Sequence, residues 1–128
     1  MYRELIICII IILIILIVNV FAQKYAKESV EIMDEKLNVL RDDLRKEESK
    51  GKIESKMEDV INTWKDRYEK LAFFIEHDEL EKVETELTSL KAQISVDKKE
   101  DSIEPLERSI FILNHIKEKF RLNMKNIF

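Results

Sequence analysis

The sequence predicts an all-α protein in which an N-terminal transmembrane helix precedes an antiparallel helical bundle of three to four helices. Three observations predict this fold class. The chain begins with one long apolar run, and its remainder repeats apolar residues every three or four positions. The 128 residues include one glycine and one proline, too few breakers for a turn-rich β protein. We therefore divide the chain into an anchor at residues 1–22 and a helical bundle domain at residues 23–128.

The apolar run extends from Leu5 to Ala22, and Asn19 is its one polar member. As a helix, these eighteen residues span about 27 Å, close to the thickness of the hydrocarbon core of a bilayer. Fifteen of them are Ile, Leu, Val or Phe, which at roughly −0.4 kcal/mol each contribute about −6 kcal/mol to insertion. A lone strand in lipid leaves its backbone unpaired, so a helix is expected despite the nine isoleucines.

Two alternatives to a retained anchor stay open. Val20–Ala22 is a tolerable cleavage site, so the run also fits a signal peptide, and a buried helix of a soluble protein has a similar composition. The cations that flank the run give no orientation, because Arg3 and the terminal amine on one side balance Lys24 and Lys27 on the other. Since a short tail before an uncleaved apolar run is typical of a signal anchor, we expect a single-pass protein of the cell membrane with its domain outside the cytoplasm.

Four amphipathic stretches follow the anchor, and each predicts a helix. Nothing between Ala22 and Val30 stops the first of these helices, which continues the anchor and has the apolar spacing of a coiled coil. The connector Glu47–Lys52, which contains the one glycine, predicts a turn after it. Short connections imply antiparallel neighbours. The stretches are Val30–Leu44, Ile53–Ile75, Leu80–Ile94 and Ile103–Ile116.

The sequence marks the starts of the last two helices. Asp78 is a good N-cap, and Glu81 three residues later completes a capping box. Pro105 interrupts the fourth stretch and leaves two possibilities. Either the helix starts at Asp97 and kinks, or Ser102 caps a new start with Pro105 in the first turn, where the missing N–H costs nothing.

The densest polar cluster contains Glu76 and His77, and His115 lies near the end of the fourth stretch. If the second and fourth helices finish at the same end of the bundle, these three residues are candidate ligands of a divalent metal. A solvated His77 and a helix-terminal His115 explain the same residues without a metal. The chain lacks a His-Glu-x-x-His motif, a phosphate-binding glycine loop and a glycine-flanked serine. We therefore expect no bound metal, no catalytic residue, no cofactor and no enzymatic activity.

Four apolar residues are candidates for binding a partner. Phe73 and Phe74 widen the apolar surface of the second helix beyond one stripe, and Leu37 and Leu44 belong to the coiled-coil stripe. Packing in the core is the alternative for all four. We expect the bilayer and either a protein partner or self-association. Nucleic acid is excluded as a partner, because the net charge is −4 and the charges alternate in sign along the chain.

Three short segments resemble one protein family. They are Phe74–Leu80 (FIEHDEL), Leu113–Ile116 (LNHI) and Asn126–Phe128 (NIF), and they resemble the bacterial domain-of-unknown-function family 4363. The resemblance implies a short N-terminal membrane helix followed by about a hundred helical residues. It implies no activity, and no functional residue is carried over from it.

Two functions are compatible with these observations. The first is a non-enzymatic interaction or structural module held at the membrane, which the heptad stripe, the anchor and the lack of active-site motifs favour. The second is an extracytoplasmic bundle that senses a ligand or a metal and acts through a partner subunit, because four residues before the anchor cannot form an output domain.

Overall fold

The computed structural model describes residues 1–127, with side chains described through Leu122. Within this range the chain forms four α-helices and no strand, which confirms the all-α fold class. Phe128, the last residue of the third family segment, lies outside the described residues. The helices are α1 (Tyr2–Arg45), α2 (Lys50–Leu71), α3 (His77–Ser95) and α4 (Lys99–Ile127).

Helix α1 joins the apolar run and the first amphipathic stretch in 44 continuous residues. Most side chains between Leu5 and Phe21 are exposed, whereas from Ala22 onward one stripe of the same helix is buried. Near the N-terminus, α1 is long and apolar enough to cross a membrane. The boundary between its exposed and buried halves coincides with the end of the predicted anchor.

Each helix packs against two others: α1 and α3 both contact α2 and α4. Ion pairs fix the register of α1 against α2. Asp43 lies 2.5 Å from Lys56, and Glu28 lies 3.8 Å from Arg67, so late residues of α1 lie beside early residues of α2. The four helices therefore form a bundle in which α1 supplies one wall.

Helix α4 runs along α1 in a register set by two polar contacts. Arg41 Nη1 donates to Glu107 Oε1 at 2.6 Å, and Asn114 Nδ2 donates to Asp34 Oδ2 at 2.8 Å. Continued at the same spacing, this register brings the end of α4 at Ile127 to the level of the last turn of the apolar run. The C-terminal turns of α4 thus lie where α1 leaves its apolar half.

The core lies between the four helices and comes from the predicted stripes. Because each stripe repeats every three to four residues, one face of each helix points inward, in α1 from Ala22 onward. The core includes Met33, Leu37, Leu40, Leu44, Ile53, Met57, Val60, Trp64, Leu80, Val83, Leu87, Leu90, Ile94, Leu106 and Leu113.

The α1–α2 connection is shorter than the predicted connector Glu47–Lys52. Ser49 is the N-cap of α2, and its hydroxyl oxygen accepts from the Lys52 N–H at 3.4 Å. The left-handed residue of the turn is Glu47, with φ 54°, while Gly51 already lies in the helix. A serine cap therefore starts α2 earlier than the glycine suggested.

The predicted cap of α3 is wrong. The helix begins at His77 with Glu76 at the N-cap position, and no side chain caps it. The Glu79 and Leu80 N–H groups both donate to the Glu76 carbonyl, so the first hydrogen-bonded turn forms ahead of Asp78. Asp78 instead lies in the first turn, where a carboxylate interacts favourably with the helix dipole.

Helix α4 begins at Lys99, two residues after the predicted start at Asp97, and it contains Pro105 as that alternative requires, so the alternative start at Ser102 is wrong. Asp97 has φ 60°, a left-handed conformation that a helix cannot contain. The Ser102 hydroxyl donates to the Lys99 carbonyl at 2.6 Å and so does not act as a cap. Pro105 lies inside the helix, where its missing N–H leaves the Asp101 carbonyl without its usual intrahelical donor.

Candidate membrane-proximal surface

Three parts of the chain meet at the end of the bundle next to the apolar half of α1. These are α1 residues 21–29, the α2–α3 connection at residues 72–76, and the last turns of α4. The Glu28–Arg67 ion pair holds α2 against α1 at this end. We call the surface that they form the membrane-proximal surface, because it lies beside the predicted anchor.

An aromatic cluster of four rings, Phe21, Tyr25, Phe74 and Phe120, joins these parts. The Phe21 and Tyr25 rings stack with centroids 6.5 Å apart, one helical turn from each other on α1. Phe74 meets Tyr25 edge to face at 6.3 Å and lies 5.6 Å from Phe120 on α4. Such pairs contribute about 0.5–1.5 kcal/mol each beyond the burial of their area. The cluster therefore ties the α2–α3 connection to both α1 and α4.

Two cations from α2 lie over the Tyr25 ring. The Arg67 guanidinium carbon is 5.0 Å from the ring centroid, and Lys70 Nζ is 5.5 Å from it. Arg67 Nη1 also donates to the buried Ser29 hydroxyl at 3.5 Å. Aromatic rings with basic side chains beside them are typical of the level at which a protein meets lipid headgroups.

The four partner-binding candidates separate into two pairs. Leu37 and Leu44 are 0% and 3% exposed and pack in the core, so a second chain has no access to them in this fold. Helices α2 and α4 pack over the stripe that contains these two leucines. Phe74 is half-buried in the aromatic cluster, whereas Phe73 is 87% exposed in the α2–α3 connection. Phe73 is therefore the one of the four whose side chain is free for another surface.

The metal candidates are not brought together. His77 Nε2 lies 2.9 Å from Glu81 Oε1, and His77 Nδ1 lies 3.3 Å from the Tyr68 hydroxyl. Both histidine side chains are exposed, and the described contacts of His77 are with Glu81 and Tyr68 rather than with His115 or Glu76.

Glu76 does not complete a metal site either. Its carboxylate is exposed and lies 4.0 Å from the Lys119 ammonium. Among the residues that the structure describes, no group of three His, Cys, Asp or Glu side chains is arranged to hold a metal ion.

The sequence gives no sign of the polar groups that meet between α1 and its neighbours. Burial raises the pKa of Asp34, and the hydrogen bond from Asn114 opposes that increase. The second carboxylate oxygen of Asp34, Oδ1, is buried without a hydrogen-bond partner. In contrast, the Lys56 ammonium lowers the pKa of Asp43 by hydrogen bonding to it. No sequence signal pairs residues so far apart, because their contact depends on helix register.

Between α2 and α3, whose contact is the smallest of the four helix pairs, the surface forms a shallow groove. Two adjoining depressions of about 470 and 350 Å³ share Ile61, Lys65 and Lys91 in their linings. Trp64 lines the smaller depression and donates through Nε1 to Glu84 at 3.4 Å. The lining mixes apolar and charged side chains, so the groove gives no indication of one ligand class.

A family model described as a domain of unknown function, DUF4363, matches residues 20–127. The chain belongs to the DUF4363 family. The match confirms the family that the three sequence segments resemble. Comparisons with curated proteins and with solved structures give no match.

In this DUF4363 chain, the matched range begins at the last turn of the apolar run and contains the whole bundle. It therefore includes Phe21 and the rest of the aromatic cluster. The described polar side chains of the membrane-proximal surface pair mainly with one another, as in Glu28–Arg67, Lys119–Glu79 and His77–Glu81. Such an arrangement stabilises the packing of the helices and offers an aromatic surface beside the apolar segment.

Proposed function

We propose that the chain is a single-pass membrane protein whose N-terminal helix holds an antiparallel four-helix bundle at the bilayer surface, as a non-enzymatic interaction or structural module. The continuity of α1 carries this proposal. One helix of 44 residues leaves its apolar half exposed and buries its amphipathic half in the core. Exposed apolar surface of that extent is unfavourable in water and favourable in lipid.

A retained anchor accounts for the junction better than a cleaved signal peptide does. In the folded chain Ala22 is buried in a continuous helix, so the packed junction includes residues on both sides of the possible cleavage site. Cleavage there also removes Phe21 from the aromatic cluster. Since the helix has no break between anchor and bundle, movement of the bundle is coupled to the tilt of the anchor.

Membrane insertion is tested by changing two residues at the centre of the run. The double variant Ile11→Arg/Ile14→Arg introduces two cations that cost about 3 kcal/mol each, which cancels the roughly −6 kcal/mol of the apolar side chains. We expect the parent chain to stay with membranes after an alkaline wash and the double variant to enter the supernatant. The matched control Ile11→Leu/Ile14→Leu keeps the run apolar and stays with membranes. A full-length parent chain in the supernatant contradicts the proposal.

The orientation is tested with one exposed cysteine in the α3–α4 connection. Val96 lies at the end of the bundle opposite the membrane-proximal surface and is exposed, so Val96→Cys in a Cys8→Ser background is accessible to a label. With the domain outside the cytoplasm, a membrane-impermeant maleimide labels intact cells. Labelling only after lysis contradicts this orientation.

A protein partner or a second copy of the chain completes the proposed role. The Val30–Leu44 stripe is buried in the bundle, which favours a contact on an outer face of the bundle. Crosslinking the full chain in its own membranes is expected to give a discrete larger species, which is either a dimer or a complex with one other protein. Recovery of monomer alone, with no co-purifying protein, counts against an interaction role.

A further inference from the structure

The α2–α3 connection carries a large apolar side chain without a partner in the bundle. Phe73 is 87% exposed, while its neighbour Phe74 packs on Tyr25 and Phe120. The connection is a hydrogen-bonded turn, in which the Phe73 N–H donates to the Lys70 carbonyl at 3.1 Å and the Phe74 N–H donates to the Leu71 carbonyl at 3.1 Å. The position of Phe73 is therefore fixed by the fold.

The register of α1 against α2 gives the level of this side chain. Arg67 pairs with Glu28, so the end of α2 at Leu71 is level with Lys24, and Phe73 lies in the turn that follows. The neighbouring Phe74 contacts the Tyr25 ring. Phe73 thus lies between the levels of Ala22 and Ala26, within about 6 Å of the end of the apolar run.

The thickness of a bilayer gives the environment that the Phe73 side chain has at this level. The run Leu5–Ala22 spans about 27 Å, slightly less than the hydrocarbon core of about 30 Å, so the edge of the hydrocarbon lies at Ala22 or slightly beyond it. The headgroup layer adds a further 5–8 Å or so on each side. A side chain within about 6 Å of the level of Ala22 therefore lies within the interface between hydrocarbon and headgroups.

We propose that Phe73 is a second membrane contact, which inserts into the interface of the leaflet from which α1 emerges. The bilayer next to α1 is the occupant of this surface, because the surface continues directly from the apolar run. Lys70 and Arg67, stacked on Tyr25, lie where they meet headgroups while the Phe73 ring lies deeper. Two contacts, one at α1 and one at the α2–α3 connection, fix both the tilt and the rotation of the bundle on the membrane.

A second exposed phenylalanine provides the matched control. Phe111 on α4 is 73% exposed, and because Asn114 pairs with Asp34, Phe111 is level with Leu37. That level is fifteen residues, or about 22 Å, beyond Ala22. Phe111 and Phe73 therefore have similar exposure in the bundle but different distances from lipid.

The test uses the purified full chain in phosphatidylcholine vesicles and the quenching of tryptophan by brominated lipid. The parent has one tryptophan, Trp64, which is buried and gives a constant background. Phe73→Trp, Phe111→Trp and Leu13→Trp each add one reporter. With lipid brominated near the headgroup end of its acyl chains, the emission added by Phe73→Trp is expected to fall at least about twofold, and that added by Phe111→Trp to stay unchanged.

The Leu13→Trp variant separates this inference from the proposed anchor on which it rests. Quenching of Leu13→Trp by lipid brominated near the bilayer centre reports the anchor alone. If this variant is quenched and Phe73→Trp behaves like Phe111→Trp, the second contact is overturned while the anchor stands. If Leu13→Trp is not quenched, the anchor fails and the second contact fails with it.

High salt is expected to leave the Phe73→Trp quenching unchanged, because insertion of an apolar ring drives the contact. Loss of quenching in high salt overturns that cause.

Discussion

Replacing Leu37 by alanine tests the assignment of the coiled-coil stripe to the core of the bundle. Leu37 is 0% exposed and lies in the part of α1 that packs on α2 and α4. If the stripe serves the core, the substitution destabilises the bundle. If it serves a partner, the free chain loses little stability.

The size of the effect follows from the atoms removed. Leucine exceeds alanine by three carbons, which at about 0.8 kcal/mol each give about 2.4 kcal/mol of lost transfer free energy. The cavity left behind adds to this, so we expect a loss of about 3 kcal/mol, within the range of about 2–5 kcal/mol for buried leucines. A small domain has only about 5–15 kcal/mol of stability in total. Phe73→Ala, which removes a larger but exposed side chain, is expected to change the free energy of unfolding in detergent by less than about 0.5 kcal/mol.

Urea unfolding of the full chain in mild detergent measures both variants. Trp64 is the single tryptophan and is buried at 3% exposure, so its fluorescence reports the bundle and not the anchor. With a slope of about 1.5 kcal/mol/M, the midpoint of Leu37→Ala falls by about 2 M at an unchanged slope.

Two results refute the reasoning. A loss below about 1 kcal/mol for Leu37→Ala means that the residue is not in a packed core. Equal losses for Leu37→Ala and Phe73→Ala mean that the difference in exposure between the two sites does not govern stability.

Three further predictions use the same unfolding measurement. Ser49→Ala removes the N-cap of α2 and lowers the free energy of unfolding by about 0.5–1 kcal/mol, whereas Ser55→Ala, exposed within α2, does not lower it; equal losses contradict the cap. Because burial raises the pKa of Asp34, its folded pKa exceeds the unfolded value of 3.8, and the free energy of unfolding that this group contributes falls as the pH rises from 3.8 through the folded pKa. Asp34→Asn removes this pH-dependent loss, and an unchanged pH profile in the variant contradicts the assignment to Asp34. Because Lys56 lowers the pKa of Asp43, that pair stabilises the fold above pH 3.8 and the effect is lost as the pH falls through the folded pKa; Lys56→Met removes this acid dependence, and a persistent one assigns it to other carboxylates.

The sequence by itself determined the features that depend on local patterns. Apolar residues at every third or fourth position specify a helix and its inward face, so the four helices and the stripes that fill the core were predictable. The apolar run and the absence of a breaker before Val30 predicted one continuous α1. The short segments that carry the family resemblance were also local, and the family match confirmed them.

The exact helix ends were less predictable, since several residues compete to cap one turn. Asp78 and Ser102 both have side chains that cap helices, but α3 and α4 begin elsewhere because the backbone of the preceding connection closes the first turn earlier. The cap that forms is Ser49, which lies in the connector that was predicted to turn at its glycine.

Only the tertiary structure decided which residues meet. Leu37 and Phe73 are both apolar candidates in the sequence, but helices α2 and α4 cover the first, and a turn at the end of the bundle leaves the second exposed. Tyr25, Phe74 and Phe120 are distant along the chain and form one cluster because helix register brings them to the same level. Periodicity fixes the face of a helix but not its axial position against a neighbour, which depends on the packing of all four helices at once.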